Sequence, residues 1–404
     1  MKEIVFGSFN EQGVKVLCSV LFAFSTACAL SGCIEEYEAD IAEEDSNLLV
    51  VEGTICSSRL NTFILTRTQA INSYATPRMV TEARVSVRGS DGSEYSTRAN
   101  DGYYACQMGD LAPDVEYCLH IELDGEVYES EPQKPLRTER IAEVMGVRDT
   151  PQSNVDVLVT PEAPFEPDKV NYYSWTYDET WEVRPDYTTV VYYDVYLLAP
   201  VYKRGQFPER GWKSGKGTAI MVGTSQSYEG QHIQRLKLYD IFHGDKRLYY
   251  RYSGLIHQRA ISKAEYEYEL ARRQASSEMG GLFTPLPSSL PSNIRCLTSK
   301  KHVIGYVGCS LNTGEYRFFF NPEDFAITIP QQGDARKWLD NPTSEDCLRM
   351  VYNGMFLCEW ESPMNSPDGM LHTAWAHDYQ LDVRCIGASV EEPDFWSLEE
   401  NVSY

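Results

Sequence analysis

The sequence predicts a mainly β protein, with an N-terminal immunoglobulin- or transthyretin-like β-sandwich followed by a larger β-rich domain that has one clear helix. Three observations carry that prediction. Seven short apolar runs separated by turn residues fall between Leu48 and Ser130, a spacing that suits a sandwich. Val115, Tyr117, Leu119, Ile121 and Leu123 alternate with Glu116, Cys118, His120 and Glu122, which gives one buried and one wet face. One later stretch, opened by Ser262 with Glu265 three residues on, has the capping box and period of a helix.

In chain order, the expected strands of the first domain run from Leu48 to Ile55, Thr62 to Arg67, Ala83 to Arg88, Glu94 to Thr97, Tyr103 to Met108, Val115 to Leu123 and Glu126 to Ser130. Asp91-Gly92 and Asp124-Gly125 are hairpin turns that need positive φ, which glycine supplies without a steric penalty. Pro132 and Pro135 then break the pattern and place a domain boundary near Leu136, so the sandwich covers 47–136 and the second domain 137–404. There, after one apolar run at Ile141 to Val147, strands are expected from Tyr172 to Val183, Thr188 to Leu198, Leu236 to Phe242, Leu248 to Tyr252, Val303 to Cys309 and Tyr316 to Phe320. Lys203 to Gly217 reads as an exposed loop. The helix puts Ala264, Tyr268, Ala271 and Ala275 on one face and stops at Gly280-Gly281. From Pro342 onward the chain is irregular, aromatic and cysteine-containing, and is expected to be a loop-rich cap held by bridges.

The front of the chain is an address. The apolar stretch from Val16 to Leu30 is too short for a membrane span, which needs roughly 20 apolar residues, and has the length of a signal peptide core. Leu30-Ser31-Gly32-Cys33 resembles a bacterial lipobox, in which the cysteine thiol receives a diacylglycerol and the preceding peptide, here 1–32, is removed. Cys33 is therefore the expected lipidation site, with the outer membrane as partner through the anchor. Between Cys33 and Ser46 lie seven acidic residues and no basic one; such a run stays extended and solvated, and 33–46 reads as an acidic tether.

The whole chain of 404 residues carries 59 acidic against 36 basic side chains, for a net charge of −23. Without a basic cluster able to track a phosphate backbone, nucleic acid is not an expected partner. Eleven cysteines, less two in the signal and the acylated one, leave an even number outside the cytoplasm, which favours disulfides. Cys106 and Cys118 are the candidate pair, on the expectation that they face each other across one hairpin. There is no zinc-finger spacing, and neither a metal nor a cofactor is expected.

Two clusters are candidates for function. Cys358, His372, His377, Asp378 and Cys385 contain the elements of a thiol-imidazole or metal site, but at the cell surface Cys358 is expected to pair with Cys347 or Cys385. Aromatics are dense from Tyr172 to Tyr202. Tyr173, Trp175, Tyr177 and Trp181, with Phe283 in the proline-rich stretch, are candidate ligand or partner contacts, because two strands with aromatics on both faces cannot bury all of them in one core.

The run from Tyr266 to Ser310, YEYELARRQASSEMGGLFTPLPSSLPSNIRCLTSKKHVIGYVGCS, resembles the signature of the domain-of-unknown-function family 4249. VVEGTI at Val50 to Ile55, Tyr128-Glu129-Ser130 and Pro393-Asp394-Phe395-Trp396 are similar to the same family. The resemblance implies an outer-membrane lipoprotein of Bacteroidetes, facing the exterior and associated with a TonB-dependent receptor in nutrient uptake. It implies no catalytic residues. A non-enzymatic protein that binds a ligand or docks on that transporter is the expectation, against a hydrolase using the Cys/His-rich tail and a structural adhesin or assembly protein.

Overall fold

The structure is a computed structural model that describes residues 47–68, 78–185, 187, 189–202, 208–278, 292–329, 334–377, 389, 391–398 and 401–403. The expected signal peptide at 1–32, Cys33, the expected tether at 33–46, Phe283, Asp378 and Cys385 lie outside the described residues. The unit Leu48–Tyr404 is mainly β, as its sequence predicts, and is built around three apolar cores.

The first core lies between two sheets. One contains β1 (Leu49–Cys56), β2 (Leu60–Arg67), β3 (Arg78–Met79), β6 (Arg98–Asn100), β7 (Tyr103–Gln107) and β20 (Val303–Ser310), in the order β20-β1-β2-β7-β6 with β3 beside β2. The other runs β19 (Ile294–Cys296), β9 (Glu126–Ser130), β8 (Tyr117–Leu123), β4 (Arg84–Gly89) and β5 (Glu94–Ser96). All seven expected strands form. In β8 the apolar set Tyr117, Leu119, Ile121 and Leu123 enters the core, but the opposite face is not wet as expected: Cys118 and His120 are buried there beside Glu129, and within the strand Glu122 alone is exposed. The sandwich is not contiguous in sequence, because β19 and β20 return to it from beyond residue 290 and bring Ile294, Val303, Val307 and Cys309 into its core.

That return joins two stretches of the sequence signature. VVEGTI on β1 and the Gly-Tyr strand, β20, form a parallel ladder from Leu49↔Val303 to Cys56↔Ser310. Gly305 sits there at φ +140 with its Cβ position only 2.1 Å from the Val51 carbonyl oxygen, so no side chain fits without moving the ladder.

Helix α1 (Lys263–Glu278) packs against this ladder. Ser262 Oγ accepts the Glu265 N–H at 3.1 Å, as the capping box predicts. The other half of the box differs, since the Glu265 carboxylate turns inward to Arg259. The buried helix face is Glu265 and Tyr268 rather than the alanine stripe, and Ala264 is exposed. Tyr268 meets Tyr306 at 5.7 Å between ring centroids. A Cβ at Gly308 would lie 2.5 Å from a Glu265 carboxylate oxygen, so glycine is what lets the ion pair approach the strand.

The second core lies between β15 (Gly211–Lys216), β12 (Tyr172–Val183), β18 (Tyr252–Ile261), β21 (Gly314–Phe320) and β25 (Val402–Ser403), with β16 (Met221–Thr224) also on β12, and a smaller sheet of β10 (Ile141–Val147), β11 (Val155–Pro161) and β17 (Leu236–Ile241). Here the sequence reading needs two corrections. The expected loop after Lys203 contains β15, whose mixed Gly and Lys composition hides an edge strand. The expected strand from Leu248 to Tyr252 is instead a 3-10 turn, Lys246–Leu248, that leads into the long β18.

The third lobe is also a correction. The expected single strand from Thr188 to Leu198 is a hairpin, β13 (Val191–Asp194) and β14 (Ala199–Tyr202). It packs on β22 (Lys337–Asp340), β23 (Met355–Glu361), β24 (His372–His377) and helix α2 (Ser344–Tyr352). Tyr193, Cys347, Leu357 and Trp375 give this lobe a core of its own. The tail beyond Pro342 is therefore held by a core and not by bridges among its described residues, where Cys347 and Cys358 are both free.

Candidate ligand cleft

Strand β12 positions the candidate site. Its odd-numbered residues, Tyr173, Trp175, Tyr177, Glu179, Trp181 and Val183, share one face. Tyr173 and Trp175 are fully enclosed by the second core. Tyr173 OH donates to Glu139 at 2.9 Å, and Trp175 Nε1 donates to Gln258 at 2.9 Å. With their polar atoms satisfied inside, these two are core residues and not a contact surface. Tyr177 is half-buried and stacks on Tyr239 with ring centroids 4.0 Å apart. Trp181, further along the row, lines an open cleft together with Val183.

Between Tyr177 and Trp181 the apolar face is interrupted by a carboxylate. Glu179 is buried, accepts Arg247 Nη1 at 2.9 and 2.7 Å, and accepts Tyr252 OH at 3.0 Å. Arg247 also donates to Asp245 through Nε at 3.1 Å and Nη2 at 2.9 Å. Burial works against the Arg247 charge, yet Asp245 and Glu179 hold its pKa above the ordinary value. Burial also pushes the Tyr239 and Tyr252 phenols up, so both stay protonated and able to donate.

A cleft of about 310 Å³ opens beside this network, near the lower end of the size range for small-molecule sites. Trp181, Tyr249 and Tyr250 supply aromatic surface, Arg184, Lys213, Lys246 and Arg247 supply cations, and Glu182 and Asp245 supply carboxylates. Trp181 and Lys213 are direct cross-strand partners, flanked on β15 by Gly211 and Gly215. Arg184 Nε donates to Glu182 at 2.7 Å while its guanidinium lies 4.5 Å from the Tyr250 ring centre. An aromatic platform beside fixed donors and acceptors can hold a ring by stacking and its polar substituents by hydrogen bonds. Sequence reasoning found Trp181 but missed Arg184, Lys213, Arg247, Tyr249 and Tyr250. The usable signal was Glu179 within an otherwise aromatic face, because a carboxylate there requires a buried cation from elsewhere.

The cysteine expectations are corrected. Cys106 and Cys118 are both free thiols, carried by strands of different sheets. Cys106 points into the core with its sulfur 3.6 Å from that of Met108, whereas the Cys118 thiol donates to Glu129 at 3.5 Å on the opposite face of its strand. Cys347 and Cys358 are likewise free, and burial pushes each thiol up to about 11, which leaves them protonated and poorly nucleophilic at neutral pH. His372 is held between Asp340 at 2.7 Å and Asp368 at 3.0 Å, which raises its pKa.

The family model described as Domain of unknown function (DUF4249) matches residues 34–315. The chain belongs to this family. No curated protein matches it. Every residue named in the cleft lies within the part that matches DUF4249, as do the β1–β20 ladder and the β13–β14 hairpin, whereas α2 and the β22–β24 sheet lie beyond it.

Proposed function

We propose that this DUF4249 member is a surface-exposed outer-membrane lipoprotein, anchored through Cys33, that binds a ligand in the Trp181 cleft and docks on a TonB-dependent transporter without doing chemistry on its cargo. The observation that carries the binding reading is the cleft itself, in which Trp181 and Tyr250 stand among four cations and two carboxylates in a chain whose net charge is −23. The high thiol pKa of Cys358 and the capture of His372 by two aspartates favour binding over catalysis. Support for the anchor is the Leu30-Ser31-Gly32-Cys33 sequence and the acidic stretch after it. A lipid anchor on a solvated spacer confines the body to a thin layer, so modest intrinsic affinity for a membrane-embedded partner suffices.

The cleft is tested by ligand-observed NMR on the mature protein with oligogalacturonides, malto-oligosaccharides and tripeptides as probes. At least one class should show saturation transfer with the wild type and lose it with Trp181→Ala. Equal transfer to both proteins, or none to either, would count against the cleft as a binding site.

A further inference from the structure

Fifteen large apolar side chains stand exposed among the described residues, and nine of them belong to the third lobe, the smallest of the three. Three are consecutive. Tyr196, Leu197 and Leu198 form the tip of the β13–β14 hairpin at 93, 68 and 46 % exposure. Trp338 and Tyr352 elsewhere on the lobe are exposed as well. Monomeric proteins seldom concentrate apolar surface in this way unless something covers it.

The tip is built to present these residues. Asp194 Oδ1 accepts the backbone N–H groups of both Tyr196 and Leu197 at 2.9 Å, while Val191 and Tyr193 root the hairpin in the lobe core. Tyr202 OH donates to the Trp360 carbonyl at 3.2 Å. Leu198 closes the turn at φ +50 and is the one branched apolar residue among the described non-glycine positions with positive φ. The hairpin turns at Gly92 and Gly125 place glycine at φ +87 and +78. Leucine is a costly choice for that backbone, and it is exposed, so neither folding nor packing accounts for it.

The charge of the lobe narrows the occupant. Residues 187–202 and 334–377 contain eight acidic side chains against three basic ones, so the lobe stays net negative even with Arg336 and Arg349 paired to Asp334, Glu359 and Asp346. An anionic leaflet would be repelled, and a second copy would bring the same net negative charge. We infer that the hairpin tip and the surrounding lobe dock on a partner protein whose surface has an apolar recess ringed by Lys and Arg. The lobe's net negative charge supplies charge complementarity and the tip supplies the buried anchor. This rests on the docking half of the proposed function and is independent of the cleft.

The test uses the full lipidated protein in its own cells, with a photo-crosslinking phenylalanine analogue at Tyr196 or, as control, at exposed Tyr103 on the first sandwich. Position 196 should yield one protein adduct absent at position 103. The purified partner should then bind wild type with an affinity that falls with added salt, at least tenfold weaker for Leu197→Ser and several-fold weaker for Leu198→Gly, although the glycine variant folds at least as stably. Adducts only to lipid or only to a second copy, or binding unchanged by Leu197→Ser, would overturn the inference. Probe binding at the Trp181 cleft reports separately, because neither tip variant should alter it.

Discussion

At the scale of single residues, the decisive feature is a charge where apolar spacing predicts a hydrophobe. Glu179 lies on the aromatic face of β12 and is tolerable only because Arg247 and Tyr252 satisfy it. Glu179→Ala leaves Arg247 without its buried partner, and since that side chain is a quarter exposed, the expected loss is about 2 to 3 kcal/mol in urea unfolding; a loss under about 0.5 kcal/mol would show that the network does not hold this end of the core. His372 carries a pH dependence with a definite sign. Its hydrogen bonds to Asp368 and then Asp340 raise its pKa in the folded state, so the clasp contributes fully below the unfolded value of about 6.5 and is lost as pH rises through the higher folded value. Protection factors of Lys337–Asp340 in hydrogen exchange, which remove the base-catalysed rise of the intrinsic rate, should therefore fall across that window in wild type and stay flat in His372→Gln, with the contrast shrinking in salt because both aspartates are exposed.

At the scale of elements, much of the fold was legible and the failures have physical causes. The seven strands of the first sandwich follow from alternation and turn residues, which locate even the short edge strand Glu94–Ser96, none of whose residues is buried. Sequence alone points Tyr173 and Trp175 to a surface because two aromatic strands overfill one core; the structure divides the aromatics between two cores, with Tyr193 in the third lobe. The hairpin within the stretch from Thr188 to Leu198 was hidden because its turn ends on a leucine where glycine or asparagine would have announced it. Leu198→Gly should relieve that conformation and raise the thermal midpoint, a gain of about 1 kcal/mol. A lowered midpoint would mean that the Leu198 side chain holds the lobe together. Helix α1 shows the converse case, in which the capping signal located the element but the alanine stripe misnamed its buried face, because the ion pair between Glu265 and Arg259 outweighs a few methyl groups in deciding which side turns inward.

At the scale of the whole molecule, return connections make the first sandwich depend on residues beyond 290, so truncation after residue 136 would remove β19 and β20 and leave Val51 and Ile55 of β1 without the parallel ladder beside them. No period in the sequence announces such a return, because ladder partners so far apart share no local pattern. The cleft and the hairpin lobe sit on this one chain, and their proposed roles both depend on holding the body at a membrane surface with its folded part outside. The most direct measurement is protease added to intact cells, followed by fractionation, for wild type and Cys33→Ala. Wild type should travel with the outer membrane and lose its folded body to the protease, while Cys33→Ala should be released from the membrane. Wild type protected in intact cells, or Cys33→Ala retained in the membrane as fully as wild type, would contradict a lipid-anchored protein working at the outer face.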